Sequence, residues 1–273
     1  MGGSGMSPMT DRLTTLGPIA PLPLPVLLER SVARFPGRPA VSFSGRRWSY
    51  AELGAWVARA ARGLQELGVG PGDRVGLCLP NTPYSVVFYY AALQAGAVVV
   101  NFNPLYVPRE LRHQIMDSGT SVMVVPDLAV ICDKVCALAE QSGLRHVIVC
   151  PIAGVLPAGK AAMYRLLKRR ETASPAYDAR IVPHARVVAH AAPPDPVAID
   201  PAADIAVLQY TGGTTGVPKG AVLTHANLSV NAQQVSRHMP SLRLGQERVL
   251  GVLPFFHVFA MTSVMNSGIE IGA

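Results

Sequence analysis

Tyr210-Thr-Gly-Gly-Thr-Thr-Gly-Val-Pro-Lys-Gly220 follows directly on the apolar run Ile205-Ala-Val-Leu-Gln209 and leads into a second one, Gly220-Ala-Val-Leu223. Four glycines, three threonines and one lysine fall within these eleven residues. Glycine reaches positive φ at little cost, so such a stretch can turn several N–H groups toward one point. Threonine hydroxyls add donors and the lysine a mobile positive charge. The composition is that of a nest for phosphate oxygens, placed between two strands.

The spacing is not that of a Walker loop, in which Gly-Lys-Ser/Thr opens a helix. Here Pro218 precedes Lys219, and the residues that follow read as a strand. A nearer match to the Walker spacing, Gly154-Val-Leu-Pro-Ala-Gly-Lys-Ala161, lacks the hydroxyl that would hold magnesium. Pro157 also removes a backbone donor from it.

Upstream of the loop, strand and helix alternate. Residues 25–34 read as a short helix, and 40–43 and 46–48 as a hairpin about Ser44-Gly45. Ser49-Tyr-Ala-Glu52 is a capping box, opening a helix that Gly68 ends. Strands are expected at 74–79, 97–101, 122–125 and 146–149, with helices at 83–95 (capped by Asn81), 108–117 and 128–142. That order implies a mostly parallel sheet covered by helices on both faces. Residues 171–201 break the pattern and read as a connector with short strands at 179–182 and 186–188. A strand at 204–210, the loop, a strand to 223, a helix over 224–238, a strand at 249–253 and a helix toward Gly268 complete the expectation.

The chain has 273 residues, 49% hydrophobic and 15% charged, which suits a folded α/β protein with a substantial core. A net charge of +7 fits anionic substrates or an anionic membrane surface. The basic residues are dispersed and carry no recognition motif, which argues against nucleic acid. Cys78, Cys132, Cys136 and Cys150 show no zinc-type spacing and read as reduced thiols. No secretion signal or transmembrane segment is evident, so a cytoplasmic protein is expected, with peripheral contact at the inner face of the membrane as an option. The helix carrying Met163-Tyr-Arg-Leu-Leu-Lys-Arg-Arg170 reads as solvated, with a membrane surface as the alternative.

The glycine loop resembles the signature of the adenylate-forming enzymes: acyl-CoA synthetases, aryl-CoA ligases, luciferases and peptide-synthetase adenylation domains. Their usual form is Tyr-Thr-Ser-Gly-Thr-Thr-Gly-x-Pro-Lys-Gly. Gly212 stands where serine is common, which removes one hydroxyl contact. The version seen here is similar to that of bacterial long-chain fatty-acid–CoA ligases. Leu223-Thr-His-Ala-Asn-Leu228 and Leu253-Pro-Phe-Phe-His-Val-Phe-Ala-Met-Thr262 continue the likeness, which extends more weakly back to Leu24.

The resemblance implies a layered αβαβα large domain. Residues 1–7 look like an expression scar, 8–200 form a first α/β subdomain with its connector, and 201–273 begin a second. Family members continue through a ribose-binding aspartate, a hinge and a small C-terminal domain with a catalytic lysine, so an N-terminal portion, inactive alone, is expected. The implied reaction activates a long-chain fatty acid with ATP to an acyl-adenylate and then transfers it to coenzyme A. Aryl or medium-chain acids, or nucleotide binding without turnover, are the alternatives.

By the same resemblance Thr211, Gly212, Gly213, Thr214, Thr215 and Gly216 cradle the β- and γ-phosphates, Lys219 binds the leaving pyrophosphate, and Thr211 reaches Mg2+. His257 meets the carboxylate or α-phosphate. Without the resemblance, a lone histidine among Phe255, Phe256 and Phe259 reads as a core residue. Phe255, Phe256, Val258, Phe259 and Met261 either wall an acyl tunnel or are plain core. His225 reads as a structural residue at a helix start.

Overall fold

Short runs of β-branched residues bounded by turns build the centre of the molecule. A computed structural model of the chain describes residues 18–211, 218–239 and 241–273. The strands are β1 (Pro39–Phe43), β2 (Arg46–Ser49), β3 (Arg74–Leu77), β4 (Val98–Asn101), β5 (Val122–Pro126), β6 (His146–Cys150), β7 (Ile181–Pro183), β8 (Ile205–Thr211) and β9 (Lys219–Thr224). β1 and β2 form a separate antiparallel hairpin, with Ser44 at φ 53° in its turn. The other seven make one sheet in the order β7-β6-β5-β3-β4-β8-β9. Every neighbouring pair is parallel except β8 and β9. Residues 201–273, expected to open a second subdomain, thus add both of their strands to this same sheet.

The helices are α1 (Leu24–Arg34), α2 (Tyr50–Glu66), α3 (Pro83–Gln94), α4 (Pro108–Ser118), α5 (Ala129–Leu138), α6 (Ala158–Leu167), α7 (His184–Val187), α8 (His225–Arg237) and α9 (Ser267–Ile271), with a π-helical segment Ala260–Asn266 running into α9. α2 starts as its sequence requires: Ser49 Oγ accepts from the Glu52 N–H, and Glu52 accepts from the Ser49 N–H. α3 is apolar all round because it is covered all round: it lies on β3 and β4 and under α1 and α2, with Phe88, Tyr89, Tyr90 and Leu93 fully buried. Each such side chain withdrawn from water contributes about 1.5–3 kcal/mol. On the opposite face of the sheet α4 and α5 bury Leu111, Ile115, Ile131 and Val135 against Val100, Phe102, Met123 and Val125.

Four local expectations are corrected. Asn81 does not cap α3; Thr82 does, its N–H donating to Ser85 Oγ, while the Asn81 side chain reaches across to residues 251–255. The expected strand at 186–188 belongs instead to the short helix α7, because Pro183 ends β7 and leads into it. The helix expected over 128–142 is only α5, Ala129–Leu138, followed by a turn. Residues 249–253 join no ladder and contain a tight turn, Val252 N–H to the Leu250 carbonyl, leaving Leu250 and Val252 exposed. Among the described residues, no helix is long and apolar enough to cross a membrane.

Candidate functional site

β8 and β9 are the strands that flank the glycine loop. Their register pairs Thr211 directly with Lys219, so the two ends of the loop are held side by side at the outer edge of the sheet. Both residues are exposed. Lys219 has no carboxylate or hydrogen-bonded partner among the described residues, which leaves its ammonium available to an anion. Gly212, Gly213, Thr214, Thr215 and Gly216 lie outside the described residues. Gly220 packs closely on its neighbour, since a Cβ there would come within 3.2 Å of the Tyr210 ring. That ring is in turn anchored, its hydroxyl donating to Asp117 on α4. Burial and this hydrogen bond push the Tyr210 phenol well above its ordinary pKa.

The segment carrying His257 is tied to the same strand end. Gln209, buried on β8, donates from Nε2 to the Phe256 carbonyl at 2.9 Å and accepts through Oε1 from Asn101 Nδ2 at 3.2 Å. Asn101 Nδ2 also lies 3.3 Å from Met261 Sδ, and its carbonyl accepts from Gln114. Asn81 adds a second set of ties, donating to the Gly251 and Leu253 carbonyls and accepting from the Phe255 N–H. Farther along, Asn266 in the π segment bridges the hydroxyls of Tyr89 and Tyr90 on α3. Amide side chains thus carry the 251–266 segment across the carboxyl ends of β4 and β8, the end of a parallel sheet where ligands are commonly held.

His257 is exposed there, its ring 4.5 Å from that of Phe256 and its N–H donating to the Pro254 carbonyl. It is not enclosed in the core, which a lone histidine among phenylalanines would suggest. The five apolar residues around it do not share one surface. Met261 is fully buried, Phe259 is 63% exposed, and Phe255 edges a cavity of about 510 Å³ between the β1–β2 hairpin and α9. His225 plays a structural part: its Nδ1 accepts the Leu24 N–H, fixing the start of α1.

The lysine of the near-Walker stretch is engaged elsewhere. Lys160 donates to the Ser44 carbonyl, and the Gly154 carbonyl accepts from Arg46. Among the described residues no three His, Cys, Asp or Glu side chains gather as a metal site. Thr211 offers a single exposed hydroxyl, which fits a magnesium ion carried mainly by phosphate oxygens and water rather than by a protein cage.

Gln209, Asn101 and Asp117 were not singled out from sequence, and Asn81 was read only as a helix cap. The first two had a signal: each is the one amide at the carboxyl end of an otherwise apolar parallel strand, Val-Val-Val-Asn101 and Ile-Ala-Val-Leu-Gln209.

Comparison with known proteins agrees with this geometry. A family profile described as "AMP-binding enzyme" matches residues 28–273. The long-chain-fatty-acid–CoA ligase of Bacillus subtilis is 37% identical over 92% of this chain and 46% of its own length. That of Escherichia coli O157:H7 is 36% identical over 90% of this chain and 44% of its own. The chain therefore spans less than half the length of these relatives. The crystal structure of a long-chain-fatty-acid–CoA ligase from Archaeoglobus fulgidus matches the fold with a TM-score of 0.72 at 24% identity, covering 94% of this chain and 47% of that one. With the profile spanning residues 28–273 and the sheet and His257 segment arranged as described, the chain belongs to the AMP-binding enzyme family.

Proposed function

We propose that this chain supplies the phosphate- and carboxylate-binding part of a long-chain fatty-acid–CoA ligase. The observation that carries the reading is the shared strand end: β8 delivers Thr211 into the glycine loop and, two residues earlier, Gln209 to the segment bearing His257. An anion chain held by the loop and a carboxylate beside His257 would meet there. In the reaction, a carboxylate oxygen attacks the α-phosphorus of ATP and pyrophosphate leaves. The CoA sulfur then attacks the acyl carbon, and AMP leaves with the electron pair.

The loop's N–H groups, Thr211 and Lys219 orient the triphosphate and offset the charge on the departing pyrophosphate, which is electrostatic preorganisation rather than covalent catalysis. Magnesium, held through Thr211 and the phosphates, would supply further charge neutralisation. Phe255 and Phe256 flank the carboxylate's approach. The long-chain substrate rests on what the relatives' names state; the 273-residue chain alone is expected to bind nucleotide without forming a thioester.

Calorimetric titration of the chain with Mg-ATP tests the phosphate site, and no heat of binding would overturn it. ATP–pyrophosphate exchange by the complete gene product with palmitate, octanoate and benzoate tests the acid. Palmitate is expected to support the fastest exchange; a preference for benzoate would reassign the substrate to aromatic acids.

A further inference from the structure

Helix α6 turns outward the side that helices normally bury. Met163, Leu166 and Leu167 stand at i, i+3 and i+4, on the face opposite Ala161, which is the helix's one buried residue. Leu166 is 79% and Leu167 68% exposed. The charge around them has one sign. Residues 151–170 contain Lys160, Arg165, Lys168, Arg169 and Arg170 and no acid. The hairpin turn adds Arg46, whose guanidinium reaches the Gly154 carbonyl at 2.9 Å, and Lys160 joins α6 to that turn through the Ser44 carbonyl. Among the acids near the helix, Glu171 is already bonded to Lys168 at 2.7 Å, Glu52 is committed to the Ser49 cap, and Asp127, which faces Tyr164 from below, is buried and accepts the Ile152 N–H.

We propose that this face docks the protein on an anionic lipid bilayer. A rigid protein partner of acidic character would satisfy the cations but leave two leucines and a methionine against a polar surface. A bilayer interface satisfies both, with acyl chains beneath the leucines and phosphate headgroups around the arginines. The helix need not move to do so, because it is tied to the hairpin turn through Lys160 and packs on the Ile152–Val155 turn. The inference rests on α6 and the hairpin turn alone and is independent of the ligase reading.

The test is co-sedimentation of the chain with large vesicles of phosphatidylcholine alone, and of phosphatidylcholine mixed with phosphatidylglycerol. Binding to the mixed vesicles only, weakened by salt, is expected. Replacing the two arginines (Arg169→Glu with Arg170→Glu) should lower partitioning about tenfold or more. Replacing the two leucines (Leu166→Ser with Leu167→Ser) should lower it about tenfold. Either double variant partitioning like the wild type overturns the proposal, as does equal binding to neutral vesicles or tighter binding to polyglutamate. A separate readout is Met163→Trp, since both native tryptophans are buried. Its emission should shift to the blue on adding mixed vesicles, and an unmoved spectrum counts against docking through this face.

Discussion

Gln209 and Phe256 are joined by a hydrogen bond from a buried side-chain amide to a backbone carbonyl, 2.9 Å long, across 47 residues of chain. It links the strand that enters the glycine loop to the turn that displays His257. Replacing Gln209 by leucine keeps the volume but leaves the Phe256 carbonyl and the Asn101 amide without this partner. A stability loss of about 1–3 kcal/mol is expected in urea melts. In the complete gene product, pyrophosphate exchange should fall further than that loss explains, about tenfold or more, because the His257 turn is no longer registered to the loop. Unchanged exchange in the folded variant would separate the two segments functionally.

Lys219 and His257 are exposed, so their removal should leave the fold intact while affecting ligands. Lys219→Ala is expected to weaken ATP binding about tenfold or more, the loss of one charge-assisted contact, with a melting temperature close to wild type. His257→Ala should spare ATP binding and lower pyrophosphate exchange. Titration calorimetry beside the exchange assay tells these apart; an equal loss of ATP affinity in both variants would place His257 among the phosphate contacts.

Gly63, inside α2, faces the backbone of α7. A Cβ there would lie 1.8 Å from the Val187 carbonyl oxygen, a position only hydrogen can share. Gly63→Ala would ordinarily favour a helix by about 1 kcal/mol. Here it is expected to cost about 3 kcal/mol, since the obstacle is backbone and cannot rotate away. Chemical denaturation gives the sign directly, and a stabilised variant would mean that α7 is free to shift.

His184 sits among Trp56, Tyr84 and Phe88, and accepts the Trp56 indole N–H at 3.2 Å. Burial, with a smaller repulsion from Arg59, lowers its pKa from 6.5 to about 4. The neutral ring is therefore the folded form, and the unfolded chain binds the proton first as pH falls. The stability this provides is complete above about pH 6.5 and declines between 6.5 and 4, by roughly 3 kcal/mol in all. Burial lowers His225 to about 4 as well, so both contribute over the same window. Urea midpoints from pH 7 to 4.5 should fall in the wild type and fall less steeply in His184→Gln; parallel slopes would assign the acid sensitivity elsewhere.

Much of the architecture was legible because its causes are local. Alternating apolar runs and capping signals such as Ser49 with Glu52 announce their elements within a few residues, and the parallel sheet follows from their order. The two strands that flank the glycine loop were legible for the same reason, since each is a contiguous apolar run. Where the reading failed, the deciding partner was distant. Asn81 looks like a helix cap in its own neighbourhood, yet its amide is used 170 residues away at Gly251. Residues 249–253 have strand composition, but a strand needs a neighbour to pair with, and none of the described residues supplies one.

The sequence by itself determined the family and the layering of helices on a parallel sheet, because propensity, periodicity and motif spacing are properties of adjacent residues. Tertiary structure alone decided that Thr211 faces Lys219, that Gln209 and Asn101 hold the His257 segment over the strand ends, and that α6 shows its leucines to the outside. Those facts depend on which buried amides find partners across long stretches of chain and which apolar faces remain uncovered, and no local pattern records either.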